Sequence, residues 1–340
     1  MARKGRTSIV REVKESIDAI DKIGQSKREA KRNGTQGIHS VKQKQNTMSD
    51  AQNFVKWVRA EHGVKSIVDL RQEHYAMYMA YMADKGLSKG HMQNVETSLR
   101  LLERGFAARL ERLQSPSVRF EGFCPPKRLV TVKMSENVRN RAYSEREVQA
   151  IRAQCSPEVQ KAVDLMRELG LRVREAANVR TEHFVVKGGS WYLEIAQGRG
   201  ITKGGRFRCV PVPKTFEQQL AQLLAEKQPE ERLVRVASGT IRDGVNVACK
   251  KANVVQAGRG CHGFRHAYAR DRLAQLATKE QRDMMQRILA NREQGRKADY
   301  GILSEQDQAL YVSTKAVMDK IHGELGHGKN RWELAMRYLR

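Results

Sequence analysis

Apolar residues recur at three- and four-residue intervals over most of this chain, the spacing that gathers them on one face of an α-helix. Near the start, Val10, Val13, Ile17 and Ile20 keep that spacing inside a polar, basic stretch and predict a short helix there. A Gly34-Thr35-Gln36-Gly37 break follows. Ser49 is placed to cap a helix carrying Phe54, Val55, Trp57 and Val58. A second run holds Tyr75, Met77, Tyr78, Tyr81 and Met82, a stripe that reads as core. Ser88 is placed to cap a third, with Met92, Val95, Leu99, Leu102 and Phe106. The periodicity then lapses around Pro116 and Pro125-Pro126, with Val130, Val132 and Met134 hinting at an extended piece. It resumes at a capping box, Ser144 and Glu147, ahead of Val148 and Ile151, and continues through helices at about 158–169 and 173–180. One stretch changes period. Trp191, Leu193 and Ile195 alternate, a Gly-rich turn spans Gly198 to Gly205, and Phe207, Val210 and Val212 follow, the mark of a β-hairpin. Helical spacing then runs to the end. The expected organisation is a basic arm at 1–46, a small helical bundle at 47–113, a linker at 114–142 and a mixed α/β domain at 143–340, with no internal repeat.

Charge narrows the partner. Lys and Arg number 63 against 38 Asp and Glu over 340 residues, a formal net charge of +25 spread from end to end. Such a field concentrates polyanions, so nucleic acid is the first partner to consider. Aromatics are 6% of the chain, sparse for stacking single-stranded bases, and double-stranded DNA fits better. Arg3, Lys4, Arg6, Lys27, Arg28, Lys31 and Arg32 make the arm either a DNA contact or a solvated tail. In the bundle, Lys56, Arg59, Arg71 and Lys89 are candidate DNA contacts. A 40% hydrophobic content excludes a disordered chain. Cys124, Cys155, Cys209, Cys249 and Cys261 form no Cys-x-x-Cys pair, and no His cluster sits at zinc-finger spacing. Neither a structural metal nor a disulfide framework is expected, and a reducing cytoplasm is the natural setting. Cys261 beside His262 reads as a small buried Cys, since adjacent residues rarely face each other. The basic N-terminus is not followed by the apolar core of a secretory signal, and no apolar run approaches membrane-spanning length.

Three short segments carry chemistry. His262-Gly263-Phe264-Arg265-His266 places an imidazole and a guanidinium three residues apart, on one helical face. Leu325-Gly326-His327-Gly328 sets another imidazole in a Gly-flanked turn, with Tyr338 soon after. Gly170-Leu171-Arg172-Val173-Arg174-Glu175 offers two further guanidiniums at a joint between helices. Exchange of a phosphodiester by a protein hydroxyl needs cations on the non-bridging oxygens and a proton for the leaving 5′-oxygen. Guanidinium matches phosphate bidentately and is always charged, and imidazole titrates near neutrality.

Together these segments resemble the tyrosine recombinases, the phage-integrase-type enzymes that break and rejoin DNA. The motifs cover about residues 143–340, and the N-terminal part is similar only in general architecture. The resemblance implies a two-domain DNA clamp, a helical core-binding domain with a mixed α/β catalytic domain, mainly α with a small β-hairpin. It implies Tyr338 as nucleophile, forming a 3′-phosphotyrosyl bond, with Arg172 and Arg265 on the phosphate oxygens. Gly170-Leu171 before and Glu175 after favour Arg172 over Arg174 as the first arginine. His262 would assist proton transfer at the tyrosine, and His327 would hydrogen-bond the phosphate. Lys203, in Thr202-Lys203-Gly204-Gly205-Arg206 ahead of Val210-Pro211-Val212-Pro213, resembles the family's hairpin lysine, a proton donor to the leaving oxygen. Arg199 and Arg206 compete for that role. Two departures stand out. Eleven residues separate His327 from Tyr338, where nine is usual in the family, with Asn330 and Glu333 placed to cap the tyrosine's helix. A long Arg-, Glu- and Gln-rich insertion occupies about 277–312.

The activity implied is site-specific recombination, integration or excision of a mobile element, with no ATP, metal or other cofactor. Four protomers on two duplexes are implied as well, with accessory DNA-bending proteins as possible partners and a cytoplasmic, DNA-associated location. Only Leu339 and Arg340 follow Tyr338, which leaves little chain for exchange between protomers and predicts a monomer without DNA. A type IB topoisomerase-like enzyme would share the chemistry but act as a monomer without a specific site. A non-catalytic DNA-binding protein on the same fold would lack the covalent intermediate.

Overall fold

A computed structural model describes residues 8–35, 37–114, 118–131, 140–196, 201, 207–225 and 227–339, leaving aside the side chains of Lys27 and Arg28. The chain divides into two compact units, Met1–Lys133 and Met134–Arg340.

The first unit holds α1 (Ile9–Ala19), α2 (Lys27–Arg32), α3 (Val41–His62), α4 (Gln72–Asp84) and α5 (Lys89–Arg112). Its core joins Ile9, Val13 and Ile17 of α1 to Phe54, Val55 and Val58 of α3, Tyr75 of α4 and Leu99, Leu102 and Phe106 of α5. The helical spacing near the N-terminus is therefore real, but the described part of the expected 1–46 arm, from Ser8 on, is not a free arm: α1 is a core helix. It lies so close on α5 that a Cβ at Gly105 would fall 2.2 Å from the Ser16 carbonyl oxygen. The helix expected to start after Ser49 begins nine residues earlier, capped by Ser40, whose side chain accepts from the Gln43 amide. Ser49 sits inside it, where helix continuity outweighs its capping tendency. Ser88 caps α5 as expected, accepting from the His91 amide.

The expected linker is also partly packed. Phe123 is fully buried in the first core. Two α5 carboxylates fasten this stretch. Glu103 accepts from the Phe123 and Cys124 amides, and buried Glu96 accepts from the Leu129 and Val130 amides and the Tyr75 hydroxyl. These backbone amides have no helix or sheet to satisfy them, so buried carboxylates do. Val132 and Met134 lie outside the described residues.

The second unit holds α6 (Glu145–Ala153), α7 (Pro157–Glu168), α8 (Val173–Ala176), β1 (Phe184–Lys187), β2 (Ser190–Ile195), β3 (Arg208–Pro211), α9 (Lys214–Ala225), α10 (Ser238–Lys251), α11 (His262–Leu276), α12 (Lys279–Glu293), α13 (Glu305–Glu324) and α14 (Trp332–Tyr338). Ser144 and Glu147 form the expected capping box on α6. The strands pair antiparallel in the order β1-β2-β3, with Phe184 opposite Leu193 and Leu193 opposite Val210. The hairpin of β2 and β3 was legible in the sequence. The strand β1, only four residues long and joined by a Gly188-Gly189 turn, was not. Leu193, Ile195 and Val210 are fully buried on the sheet's inner face, against a core that includes Leu165, Leu171, Phe264, Met318 and Met336. The chain is thus mainly α with one small antiparallel sheet.

The 277–312 insertion carries a small core of its own. Met284, Ile288, Ala298 and Ile302 form a satellite core, with Leu310, Tyr311 and Trp332 packed against it.

Candidate active site

The first arginine owes its position to a left-handed glycine. α7 ends at Glu168, and Gly170 adopts φ +58 before the chain enters α8. A side chain there would be strained, and its Cβ would lie 2.5 Å from the Tyr268 ring, so the joint needs glycine. Arg172 caps the short α8. Its amide donates to Glu175 Oε2 at 2.8 Å and its guanidinium to Oε1 at 2.7 Å. Arg174, two residues on, is exposed and lines a separate concavity with Asn178 and Arg180.

Arg265 on α11 is fully buried. It donates to the Gly170 carbonyl at 2.5 Å and to the Leu325 carbonyl, and its Nη2 lies 3.2 Å from His327 Nε2. Its Nε has no protein partner among the described residues. A third guanidinium, Arg208 of β3, completes the group. It donates to the Leu169, Gly170 and Glu324 carbonyls and to Glu175 Oε2. Glu175 therefore faces Arg172, Arg208 and, at 3.8 Å, Arg265. Burial by itself would raise its pKa, but the guanidiniums of Arg208, Arg265 and Arg172 outweigh that and hold the carboxyl below the usual range. Three permanent cations against one carboxylate leave an uncompensated positive site.

His262 opens α11 and is exposed on one side while protein crowds the other. That crowding, then the charges of Arg265, Arg172 and Arg141, lower its pKa. His327 is lowered more strongly, to about 2, by burial and then by Arg265. A guanidinium can only donate, so His327 Nε2 accepts from Arg265 and the ring proton sits on Nδ1. That Nδ1 has no partner among the described residues.

Tyr338 ends α14 and is 8% exposed. Its ring stacks on His266, centroids 4.1 Å apart, and lies 5.3 Å from the His327 ring and 5.8 Å from the Arg265 guanidinium. The residue therefore packs into the arginine and histidine cluster instead of projecting from it. The expected cap of α14 is not formed. Arg331 occupies that position without a side-chain cap, Asn330 is left-handed with its amide donating to Asp319, and Glu333 pairs with Arg331.

The structure thus brings Arg172, His262, Arg265, His327 and Tyr338 together. Lys203 lies outside the described residues, as do Arg199 and Arg206. Sequence reading passed over three residues here. Arg208 gave no signal beyond its place in a strand, because its importance comes from burial beside Glu175. His266 was noted only as part of a motif. His322 sits on α13, fully buried, with neither ring nitrogen partnered among the described residues and its ring 5.5 Å from that of His327. Tyr300 is exposed beneath Arg296, and Tyr311 packs on Trp332, so neither stands beside the arginines.

No family model and no curated protein matches the chain. Solved structures do. Lambda integrase bound to DNA superposes with a TM-score of 0.53 at 16% identity, covering 78% of this chain and 87% of that one. The XerH site-specific recombinase, in a post-cleavage complex with palindromic difH substrate, gives 0.54 at 13% identity, covering 90% and 94%. The Tn1549 transposon integrase, in complex with transposon right end DNA, gives 0.50 at 11% identity, covering 97% and 94%. At these identities the likeness establishes the fold, which is the one the tyrosine recombinase resemblance leads to expect.

Proposed function

We propose that this chain is a tyrosine site-specific recombinase that cuts and rejoins duplex DNA through a 3′-phosphotyrosyl intermediate, acting in integration or excision of a mobile element. The observation that carries the reading is the packing of Tyr338 into a cluster of Arg265, His327 and His266, with Arg172 sharing Glu175 with Arg265. The site's excess positive charge suits a phosphodiester, and buried guanidiniums aimed by carbonyls need no reorganisation when charge develops.

In this reading the Tyr338 oxygen attacks phosphorus, a new P–O bond forms and the bond to the 5′-oxygen breaks. Arg172 and Arg265 hold the non-bridging oxygens, and neutral His327 adds a hydrogen bond. His262, open to solvent on one side, takes the tyrosine proton. Lys203 gives a proton to the departing 5′-oxygen. The phosphotyrosyl ester conserves the energy of the broken linkage, so a free 5′-hydroxyl from another strand reverses the chemistry without ATP. Four protomers on two duplexes, with or without DNA-bending proteins, are the expected working assembly.

The test is trapping on duplex DNA carrying a nick near the cleaved position. Tyr338→Phe removes one hydroxyl and should abolish the covalent adduct while DNA binding persists. Arg172→Ala should slow adduct formation by about a hundredfold or more, the scale of losing one oxyanion donor, and Arg174→Ala far less. An adduct that survives in Tyr338→Phe would move the nucleophile elsewhere. Relaxation of supercoiled plasmid by a lone protomer would favour the topoisomerase-like alternative.

A further inference from the structure

The turn that ends α13 folds one imidazole onto another. Gly326 adopts φ +63, its amide donates to the Gly323 carbonyl at 2.8 Å, and the His327 amide donates to the His322 carbonyl at 2.7 Å. A left-handed glycine turn of this kind usually presses two apolar side chains together at the positions that His322 and His327 occupy. Here both are histidines, and their rings meet at 5.5 Å between centroids, inclined by 66°.

The pair is chemically unfinished. His322 is fully buried with neither ring nitrogen partnered among the described residues, and Nδ1 of His327 is buried and unpartnered too. Burying a polar nitrogen without a hydrogen bond is destabilising, and an apolar side chain would avoid the penalty. The charged groups around His322 are engaged elsewhere. Asp319 accepts from the Asn330 amide, Glu333 pairs with Arg331, and Arg265 donates to the Gly170 and Leu325 carbonyls. On the neighbouring ring, His327 Nδ1 is idle.

His327 also faces a conflict between two bonds. Here its Nε2 accepts from Arg265, which puts the ring proton on the buried Nδ1. A phosphate oxygen only accepts, so Nε2 must carry the proton to bond it, and Nδ1 is then bare and needs a donor. Which nitrogen of an imidazole holds the proton is set by the bond that the other makes. His322 can supply that bond. Burial keeps it neutral by lowering its pKa to about 4, and a neutral imidazole has one donor and one acceptor nitrogen. Two rings this close reach hydrogen-bond distance once a nitrogen of each turns to the other.

We propose that His322 is a positioning residue that sets the tautomer of His327: as a phosphate takes over the Arg265 guanidinium, the His322 N–H donates to His327 Nδ1, and His327 presents a proton on Nε2 to the phosphate oxygen. Each ring stays neutral with one N–H, and the proton of His327 changes nitrogen by exchange with water before the site closes. The proposal rests on the reading of the arginine cluster as a phosphate site, and it adds a residue that lies outside the sequence motifs.

Two measurements on the full chain test it, with variants whose thermal melting at neutral pH matches wild type. In the first, histidine nitrogen NMR follows His327 as inorganic phosphate is added. Wild type and His322→Gln, whose amide also donates, should move to the Nε2–H form, and His322→Leu should not. His322→Phe takes its place if the leucine variant melts early. In the second, single-turnover adduct formation is timed on nicked duplex. His322→Leu should slow it roughly ten- to hundredfold, the scale of losing a partner that orients a working imidazole, with DNA affinity unchanged. His322→Gln should stay near wild type, and in a His327→Phe background His322→Leu should cost nothing more. A His327 that keeps its proton on Nδ1 in phosphate, or an unchanged rate in His322→Leu, overturns the proposal. So does a loss that persists in the His327→Phe background, which would place His322 on another partner, such as the idle Nε of Arg265. A phosphate response that depends on His322, with no adduct from wild type, supports the tautomer role and overturns the cleavage reading alone.

Discussion

Glu175 shows how one side chain organises the site. It accepts from the Arg172 amide and guanidinium and from Arg208, and it stands 3.8 Å from Arg265. Without it, buried Arg208 and Arg265 would keep only carbonyls and the His327 ring as partners, with no negative charge against them, a costly arrangement for charges removed from water. His322 poses the opposite case, a buried titratable group with neither nitrogen partnered among the described residues. Burial lowers its pKa to about 4. An unfolded histidine titrates near 6.5, so as pH falls the unfolded chain takes up this proton first. The stability His322 permits is therefore full above about pH 6.5 and is lost progressively towards pH 4. His266, lowered to about 3 by burial and by His262, acts in the same direction. The expected loss from His322 between pH 8 and pH 5 is about 2 kcal/mol. His322→Leu should flatten the urea-melting profile by that amount while costing little at pH 8, where the ring is neutral and unpaired. Parallel pH profiles for the two proteins would remove His322 as the cause.

Among elements, α14 depends strongly on its neighbours, since it is only seven residues long and ends on Tyr338. An isolated helix of that length is unstable in water, so packing must hold it. Trp332 at its start packs against both the main core of the second unit and the satellite core of the insertion, and meets Tyr311 at 6.1 Å. The insertion therefore buttresses the tyrosine's helix. Ile288→Ala empties a fully buried position in that satellite core and should cost roughly 2–5 kcal/mol. If the buttress matters to the site, single-turnover adduct formation should slow more than DNA affinity falls. Equal losses in both would make the insertion a stability element only. The α1 helix carries the same lesson: Ile9, Val13 and Ile17 place it in the first core, so deleting residues 1–46 removes part of a fold.

Across the whole molecule, the net charge of +25 dominates long-range behaviour. It attracts polyanions and repels free copies of the chain, which favours monomers until DNA neutralises it. Affinity should fall linearly in log salt with a slope of about −0.9 per phosphate contacted. Light scattering without DNA should report a monomer at micromolar concentration. A stable tetramer there would show a protein surface strong enough to overcome the repulsion.

What the sequence determined by itself was whatever depends on neighbours along the chain. Helical spacing located the core faces of α1 and α5 and, in α4, the buried Tyr75, Tyr78 and Met82, although Met77 of the same stripe is exposed; Ser88 and Ser144 announced two helix starts, and alternation gave β2 and β3. Local motifs also picked out Arg172, His262, Arg265, His327 and Tyr338, because each sits in a short run whose residue types travel together. The tertiary structure decided what depends on partners distant in sequence. That α1 is core and not arm follows from its contact with α5, some ninety residues away, which no local pattern carries. The start of α3 at Val41 instead of after Ser49 goes with the Ser40 cap and with Lys44 pairing to Asp18 and Asp21, more than twenty residues away. Arg208 and Glu175 are 33 residues apart, and only the folded chain makes them a pair.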